Sequence, residues 1–422
     1  ISEKTAFAVF THSVGLTWDQ EADIKPVPGQ TLASCSLNVE SGLAQLEFIR
    51  GSTVILEGPV EFEIKGTNAG FLKNGKLRAN VPPVAKGFAI DLPHGRLIDL
   101  GTEFGLHVHD GDSTEIYVYD GKVIYEGTSD SGESFTYEIS KGEALFIDPY
   151  GYPRWVEMPS EPFMGTADLA HISMEQSQTR YASWVNLSEE ISQLPETSLY
   201  FSFDNHTPWT RTLNDSFNRS NGAIIGCKWT EGRWHGKGAL DFSMKNDQVR
   251  FDFPLEHSSV TLAAWIKLDQ LKDYCAPIIS SDSNNDGAVS WYINQNGKLV
   301  LELTVDSKPI KYESSVAFRK ERLGRWIHLV TTLDPISKLV SHYINGRSFS
   351  REKIDINYPV TFGPCLLGNF ANNSNQDYKR SISGKIDEFV LFKDAYSEIE
   401  VRRLFEVGTP YELPRSFGNS LP

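Results

Sequence analysis

The chain has 422 residues, enough for two or three domains that each have a core. Apolar residues make up 40% of it and charged residues 23%, a globular composition that excludes extensive disorder. Its 55 acidic and 40 basic residues give a net charge of −15, which repels phosphate backbones, so we expect no nucleic-acid partner.

Residues 1–155 are predicted to form an all-β domain. Apolar and polar residues alternate with a period of two in short runs such as 44–49, 60–64 and 115–119, and glycines recur at intervals of one strand plus one turn. The chain begins Ile1-Ser2-Glu3, without Met or an apolar leader. We therefore expect a mature piece whose upstream part held a signal or membrane anchor.

Three blocks of this half resemble the periplasmic domain of FecR-type regulators. In chain order they are LEGPVEF (56–62), IDLGTEFGL (98–106) and IYVYDGKV (116–123). The resemblance implies an all-β, solenoid-like or sandwich domain on the outer side of a bacterial inner membrane. It also implies a signal relay to an extracytoplasmic sigma factor, with an outer-membrane or anti-sigma protein as partner.

His107 and His109 lie one strand period apart and share a strand face, an arrangement from which a metal site can be built. Leu106 and Val108 occupy the alternate positions, which favour the inner face. We therefore expect two surface histidines without a ligand role.

Residues 156–197 are predicted to be a short helical connector. Tyr181, Trp184 and Ile191 recur at helical spacing, and Pro195 ends the pattern. The aromatic stripe is expected to pack against a neighbouring domain.

Residues 198–408 are predicted to be a second all-β domain, and residues 409–422 a loose tail. Asn345-Gly346 indicates a hairpin turn, and Ser397 with Glu400 forms the capping box of a short final helix. Five blocks resemble the LamG-type, concanavalin A-like jelly roll: GALDF (238–242), TLAAWI (261–266), RWIHL (325–329), YING (343–346) and GKIDEF (384–389). That resemblance implies a β-sandwich that binds carbohydrate or protein, often with calcium, and cleaves glycans in a minority of members.

A calcium loop is one interpretation of the segment before Gly287. Asp282, Asn284 and Asp286 follow the D-x-N-x-D-G order of an oxygen-donor loop. Ile293 stands where the twelfth position would supply a bidentate Glu, so a solvated polar hairpin loop is the favoured alternative.

Asp387 with Asp204 is a second candidate pair for calcium, since Asp387 lies in the GKIDEF block. The favoured alternative is a carboxylate that holds a strand corner through backbone hydrogen bonds. The four cysteines lack CxxC spacing, so one disulfide and buried free thiols both remain open.

A glycan would bind to aromatic and polar side chains in loops of the second domain. Tyr and Trp rings stack on sugar rings, while Asn and Arg bind hydroxyl groups. The predicted ligand-binding set is Tyr274, Trp291, Tyr292, Asn369, Asn372, Asn373, Tyr378 and Arg380. Ordinary packing is the alternative for each of them.

The sequence thus predicts a non-enzymatic, extracytoplasmic bacterial binding protein, periplasmic or at the cell surface and anchored through a missing segment. Its jelly roll would recognise a glycan or cell-surface polymer, and its FecR-like domain would act as scaffold or relay. The motifs of serine hydrolases, zinc proteases and jelly-roll glycosidases are absent from the sequence. A carbohydrate-active enzyme with carboxylates from separate strands is the first alternative, and a structural envelope or adhesion protein the second.

Overall fold

The computed structural model describes residues 6–158, 163–204, 207–271, 275–283, 285–319, 322–354, 358–370 and 381–414. Within them the protein is mostly β-sheet, with 31 strands and two α-helices, which confirms the predicted all-β class. The chain divides into two compact units. The N-terminal unit comprises residues 1–178 and 411–422, and the C-terminal unit comprises residues 179–410.

One branched sheet forms the N-terminal unit. Its strands are β1 (Ala8–Trp18), β2 (Thr31–Leu32), β3 (Cys35–Phe48), β4 (Thr53–Gly66), β5 (Ala69–Asn80), β6 (Ala89–Leu92), β7 (Gly95–Asp99), β8 (Glu103–Val108), β9 (Thr114–Asp120), β10 (Lys122–Thr128), β11 (Ser134–Ser140), β12 (Ala144–Ile147) and β13 (Pro153–Val156), with a 3-10 turn at Pro83–Ala85. Their order is β11-β10-β7-β6-β5-β4-β3-β1-β2.

The branch point of this sheet is β5. Its first residues pair in parallel with β6, and its last residues pair antiparallel with β8. From β8 the sheet continues through β9 to β12 and β13. Both branches contribute to one core, because alternate residues of each strand point inward. That core includes Phe10, Leu46, Leu56, Phe62, Leu106 and Val118.

Two turns of the N-terminal sheet contact each other. Buried Asp99 accepts hydrogen bonds from the backbone nitrogen of Gly101, at 2.7 Å, and from the hydroxyl of Thr102. Burial raises the pKa of Asp99 to about 6. Gly121 has φ +77°, and a Cβ there would lie 2.6 Å from Cγ2 of Thr102. Glycine is therefore required at Gly121 both by the left-handed backbone and by the lack of space.

The connector is one continuous helix, α1 (Thr166–Ile191), and the boundary between the units falls within it, after Gln178. In the N-terminal unit Leu169 packs with Leu43 and Ile55. In the C-terminal unit Trp184 is buried, as the aromatic stripe predicts.

Two large sheets form the C-terminal unit. Its strands are β14 (Thr197–Phe201), β15 (Thr212–Leu213), β16 (Gly222–Ile225), β17 (Lys228–Glu231), β18 (Gly238–Phe242), β19 (Gln248–Asp252), β20 (Glu256–His257), β21 (Val260–Leu268), β22 (Ala276–Ser281), β23 (Val289–Ile293), β24 (Lys298–Val305), β25 (Lys308–Val316), β26 (Trp326–Asp334), β27 (Leu339–Ile344), β28 (Arg347–Lys353), β29 (Val360–Thr361), β30 (Pro364–Leu367) and β31 (Gly384–Phe392).

The first sheet has the order β17-β18-β31-β21-β26-β27-β28, with β14 beside β31, and the second has the order β15-β16-β19-β30-β22-β23-β24-β25. Strands β20 and β29 form a small separate pair. Side chains of both large sheets interdigitate in one core, as in a sandwich. The core includes Phe201, Phe251, Leu262, Trp291, Leu301 and Phe389. This is the jelly-roll sandwich that the sequence predicts.

Helix α2 (Glu398–Gly408) begins at the predicted capping box, in which the Ser397 hydroxyl accepts from the backbone nitrogen of Glu400. The apolar face of α2 packs through Val401 and Leu404 on Val390 of the first sheet. An amphipathic helix of this length is stabilised mainly by the packing of its apolar face on the sheet.

The predicted loose tail requires a correction within the residues that are described. Glu412 lies in the N-terminal unit, where its backbone carbonyl accepts from the Ser13 hydroxyl at 2.9 Å. Its carboxylate accepts from the backbone of Gly15 at 2.9 Å and from the amide of Gln176 at 3.0 Å. These bonds fix the chain there, because they supply partners for polar groups of β1. No disulfide links the four cysteines, all of which lie within the described residues.

Candidate functional site

The two outer faces of the C-terminal sandwich differ in character. Apolar residues of α1 and α2, among them Leu187, Ile191 and Leu404, cover the outer face of the first sheet. The outer face of the second sheet carries polar side chains of β23, β24 and β25. Their contacts form a ladder, in which Glu302 accepts from the Tyr292 hydroxyl at 2.7 Å and lies 3.5 Å from Nζ of Lys311.

Trp291 and Tyr292, both predicted to bind a glycan, lie within β23 rather than in a loop. Trp291 is fully buried in the sandwich core and donates its indole N–H to the hydroxyl of Thr331 at 2.8 Å. Tyr292 is 4% exposed, and the ring of Phe370 packs edge-on against it. Burial, followed by the charge of Glu302, raises the pKa of Tyr292. The prediction for these two rings is wrong, because neither offers a face to a ligand.

Asn369 is also buried and has a structural role. Its amide nitrogen donates to the backbone carbonyls of Lys245 and Asp247, at 3.2 and 3.1 Å, so both amide hydrogens are used. Its side-chain oxygen accepts from the backbone nitrogen of Phe370 at 2.8 Å. The remaining members of the predicted set lie outside the described residues: Tyr274, Asn372, Asn373, Tyr378 and Arg380.

Trp209 is an exposed aromatic residue that the sequence analysis missed. Its side chain is 83% exposed in the segment between β14 and β15. The backbone beside it is held, since the Thr210 carbonyl accepts from the Trp229 indole at 2.9 Å and the Thr210 nitrogen donates to the Thr207 carbonyl at 3.1 Å. The sequence could have indicated this exposure, because Trp209 is a single tryptophan in the polar run TPWTRT (207–212).

The first candidate calcium loop connects β22 to β23. Asp282 and Asp286 are exposed, and the Asp286 carboxylate accepts from the backbone nitrogen of Ser307 at 3.2 Å. Asn284 lies outside the described residues. Gly287 has φ +85°, which fits the sharp bend expected at the glycine of the motif. Calcium binding at this loop remains a prediction.

The second candidate calcium pair is wrong, because two cationic side chains bind the Asp387 carboxylate. Its Oδ1 accepts from the guanidinium of Arg233 and, at 2.6 Å, from Nζ of Lys237. Its Oδ2 accepts from the backbone nitrogen of Arg233 at 2.6 Å. The alternative interpretation, a carboxylate that fixes a strand corner, agrees with these contacts. Asp204 is exposed.

This buried ion cluster consists of Arg233, Lys237, Asp387 and Glu388 and is electrically neutral. Glu388 accepts from the guanidinium of Arg233 and, at 2.7 Å, from the hydroxyl of Tyr200. Burial lowers the pKa of Lys237. The indoles of three tryptophans surround Arg233, with ring centroids 4.2–5.2 Å from its guanidinium carbon: Trp184, Trp234 and Trp265. The cluster is a structural feature, because its charges are satisfied internally.

The N-terminal unit holds a cluster of a different kind. His107 of β8 and His109, the residue that follows β8, meet Glu115 of β9, and their ligand atoms all lie within 4.8 Å of one another. Nδ1 of His107 and Nε2 of His109 lie 3.5 and 3.4 Å from the same carboxylate oxygen of Glu115. Burial and the charge of His109 lower the pKa of His107. Both imidazoles are partly exposed, as the alternation with Leu106 and Val108 predicts, but their shared contact with Glu115 was not predicted.

Comparison with known proteins identifies one matching family model. Residues 243–402 match the laminin-G-type model described as the concanavalin A-like lectin/glucanases superfamily. The match covers less than half of the chain, and it agrees with the jelly-roll sandwich of the C-terminal unit. No curated protein is significantly similar to the chain. The resemblance of residues 1–155 to FecR-type domains remains a prediction.

Several solved structures resemble half of the chain. Domain 4 of the extracellular arabinanase AbnA from Geobacillus stearothermophilus, in complex with arabinotriose, is 19% identical over 50% of this chain and 98% of that domain, with a TM-score of 0.39. The binding domain of Paraclostridial mosquitocidal protein 1 is 18% identical over 51% of this chain and 52% of its own, with a TM-score of 0.40.

The ligand-binding domain of botulinum neurotoxin serotype D, in complex with N-acetylneuraminic acid, is 17% identical over 52% of each chain, with a TM-score of 0.39. The chain thus spans about half the length of the two toxin domains. Because all these TM-scores are below 0.5, no functional conclusion follows from them. In the described part of the chain, no helix combines the length and apolar character that a membrane crossing needs.

Proposed function

We propose that the C-terminal unit binds a carbohydrate without cleaving it and that Trp209 is the ring on which a sugar stacks. The observation that carries this proposal is the match of residues 243–402 to the concanavalin A-like lectin/glucanases superfamily. Trp209 supports it as an 83% exposed indole in the same unit. A periplasmic or cell-surface location is part of the proposal, since glycans and surface polymers are the expected ligands.

The segment that carries Trp209 has the features of a stacking platform. The hydrogen bonds of Thr210 with Trp229 and Thr207 hold the backbone on both sides of the indole, so little ordering entropy would be lost on binding. Exposed Arg211 lies two residues away, and its guanidinium donates to the Cys227 carbonyl at 3.0 Å. The remaining guanidinium hydrogens are donors of the type that sugar hydroxyls accept.

The expected contribution of Trp209 follows from its area. A sugar that covers one ring face would bury about 100 Å² of apolar surface, worth roughly 2.5 kcal/mol. This corresponds to about 60-fold in the dissociation constant. Trp209→Ala should therefore weaken binding by about that factor without lowering stability, since the side chain has few intramolecular contacts to lose.

The absence of cleavage is the second part of the proposal. A retaining or inverting glycosidase needs two free carboxylates on either side of the scissile bond. Adjacent Asp387 and Glu388 are both bound to Arg233, so this pair is occupied. An enzyme built from other carboxylates would release product, and the same experiment detects it.

The experiment is calorimetric titration of the full chain, with and without calcium, against neutral and acidic polysaccharides, arabino-oligosaccharides and N-acetylneuraminic acid. Trp155→Ala is the matched control, because Trp155 is a half-exposed tryptophan of the N-terminal unit. We expect one class of saccharide to bind. Trp209→Ala should weaken that binding, and Trp155→Ala should leave the affinity unchanged. Cleavage products of the saccharide in the calorimeter cell would establish the alternative, a carbohydrate-active enzyme.

Failure to bind any saccharide would overturn the proposal and favour the structural or adhesion alternative. Equal affinities of Trp209→Ala and the wild type would refute the role of Trp209 and direct attention to the polar ladder of the second sheet. The scaffold or relay role of the FecR-like domain is a separate part of the proposal. A pull-down with an anti-sigma or outer-membrane partner tests it, and loss of saccharide binding would not affect that result.

A further inference from the structure

The cluster of His107, His109 and Glu115 results from the register of one hairpin. His107 lies directly opposite Glu115 in the β8–β9 pair, and His109 is two residues further along the same face. The turn between β8 and β9 is closed by the backbone nitrogen of His109, which donates to the Ser113 carbonyl at 2.9 Å. All three side chains are partly exposed, by 23%, 38% and 27%, so an ion can reach them from solvent.

The distances within the cluster fit a tetrahedral metal. Ligand atoms about 2.1 Å from a tetrahedral Zn²⁺ lie about 3.4 Å from one another. The two nitrogen–oxygen separations in the cluster are 3.5 and 3.4 Å. Two imidazoles and a carboxylate are also the donor set that Zn²⁺ accepts when it keeps a fourth position open.

A second contact supports a ligand role for Glu115. The Tyr117 hydroxyl hydrogen-bonds to the Glu115 side chain, and burial followed by this bond raises the pKa of Tyr117. Hydrogen bonds of this kind orient metal-binding carboxylates and leave fewer conformations to be lost on binding. The ring of Phe163 packs edge-on against both His107 and Tyr117 and restricts these two side chains.

A groove of about 520 Å³ adjoins the cluster, and both histidines line it. Four acidic side chains are also among its lining residues: Asp19, Glu57, Glu61 and Asp110. Glu57 and Glu61 are paired with Lys76 and Lys73, at 3.5 and 2.9 Å, so Asp19 and Asp110 supply the negative charge that would attract cations. The groove also gives a fourth ligand of the metal, water or a small molecule, room to bind.

We propose that His107, His109 and Glu115 form a binding site for one Zn²⁺ ion, with its open coordination position toward the groove. The site lies wholly in the N-terminal unit and does not depend on carbohydrate binding by the C-terminal unit. A Zn²⁺ bound there would hold β8 to β9 and would present a Lewis acid to a ligand in the groove.

The test is a titration of the untagged full chain with Zn²⁺, followed by calorimetry and by competition with a chelating indicator. We expect one equivalent to bind. His107→Gln, His109→Gln and Glu115→Gln should each weaken binding by at least about 10-fold, since loss of an outer contact alone typically has that effect. Co²⁺ in place of Zn²⁺ should show the visible absorption of a tetrahedral site in the wild type and not in these three variants.

The matched control is His235→Gln. Exposed His235 has its Nδ1 2.7 Å from a carboxylate oxygen of Glu231, and this histidine–carboxylate pair has no third ligand among the residues that the structure describes. We expect this variant to bind Zn²⁺ like the wild type. Thermal melts in EDTA show whether each variant is folded, and in the wild type Zn²⁺ should raise the melting temperature. The proposal is overturned if no stoichiometric Zn²⁺ binds, or if folded variants of the three ligands retain wild-type affinity.

Discussion

Replacement of Asp387 by Asn tests how the C-terminal unit is held together. The side chain of Asp387 is fully buried and accepts three hydrogen bonds, two from Arg233 and one from Lys237. The substitution preserves the shape of the side chain and removes its charge. Two buried cations then face the single carboxylate of Glu388, and the cluster changes from neutral to a net charge of +1.

The size of the effect follows from this imbalance. Removing one partner of a buried ion pair destabilises a protein by about 3–5 kcal/mol, because an uncompensated charge stays buried. We expect about 4 kcal/mol for Asp387→Asn. In a unit of this size each kcal/mol lowers the melting temperature by about 2–4 °C, so the expected shift is roughly 8–16 °C.

Urea unfolding followed by tryptophan fluorescence measures this change, since three indoles surround Arg233. Asp252→Asn, on an exposed side chain of β19, is the control and should change the free energy of unfolding by less than about 0.5 kcal/mol. Adding Lys237→Met to Asp387→Asn restores neutrality and should recover part of the loss. The reasoning is refuted if Asp387→Asn costs less than about 1 kcal/mol, or if the double variant is no more stable than the single one.

Two further predictions concern a turn and the response to acid. Gly121→Ala should cost at least about 3 kcal/mol of unfolding free energy, because the new Cβ would clash with Thr102. Gly111→Ala at φ +88° meets no atom within 4 Å and should cost about 1 kcal/mol, so equal urea midpoints would contradict the steric argument. Burial lowers the pKa of His328 to about 3 and that of His342 to about 4, from 6.5. The unfolded chain therefore binds more protons than the folded chain below pH 6.5. The free energy of unfolding of the C-terminal unit should fall by roughly 2 kcal/mol per histidine between pH 6.5 and 5. Urea midpoints that do not change over that range would contradict this prediction.

Local patterns in the sequence were sufficient to predict much of the fold. The period-two runs became strands, and Ser397 with Glu400 caps α2 as expected. Asn345 and Gly346 both have positive φ, +49° and +74°, as a tight hairpin requires. Each of these features depends on a few neighbouring residues, and for that reason the sequence alone could predict it.

The aromatic residues of the candidate site were harder to assign, because exposure depends on residues far away in the chain. Trp291 and Tyr292 are adjacent in a strand of five residues between two polar turns, and period-two alternation cannot show that both sides of that strand are covered. The ring that packs against Tyr292 belongs to Phe370, which lies almost eighty residues later in the chain. Trp209 was overlooked for the opposite reason, since a single tryptophan in a polar segment forms no periodic pattern.

The contact between His107 and Glu115 could have been predicted from the sequence, because the turn signal beside it fixes the register of the hairpin. Asp110-Gly111 is a turn signal, and a hairpin centred on Gly111 places His109 opposite Ser113 and His107 opposite Glu115. Side chains alternate along a strand, so a slip of one residue would move Glu115 to the inner face and separate it from both imidazoles. The cluster therefore requires this register, and a turn signal next to a His-x-His pair predicts which residue of the following strand can complete a metal site.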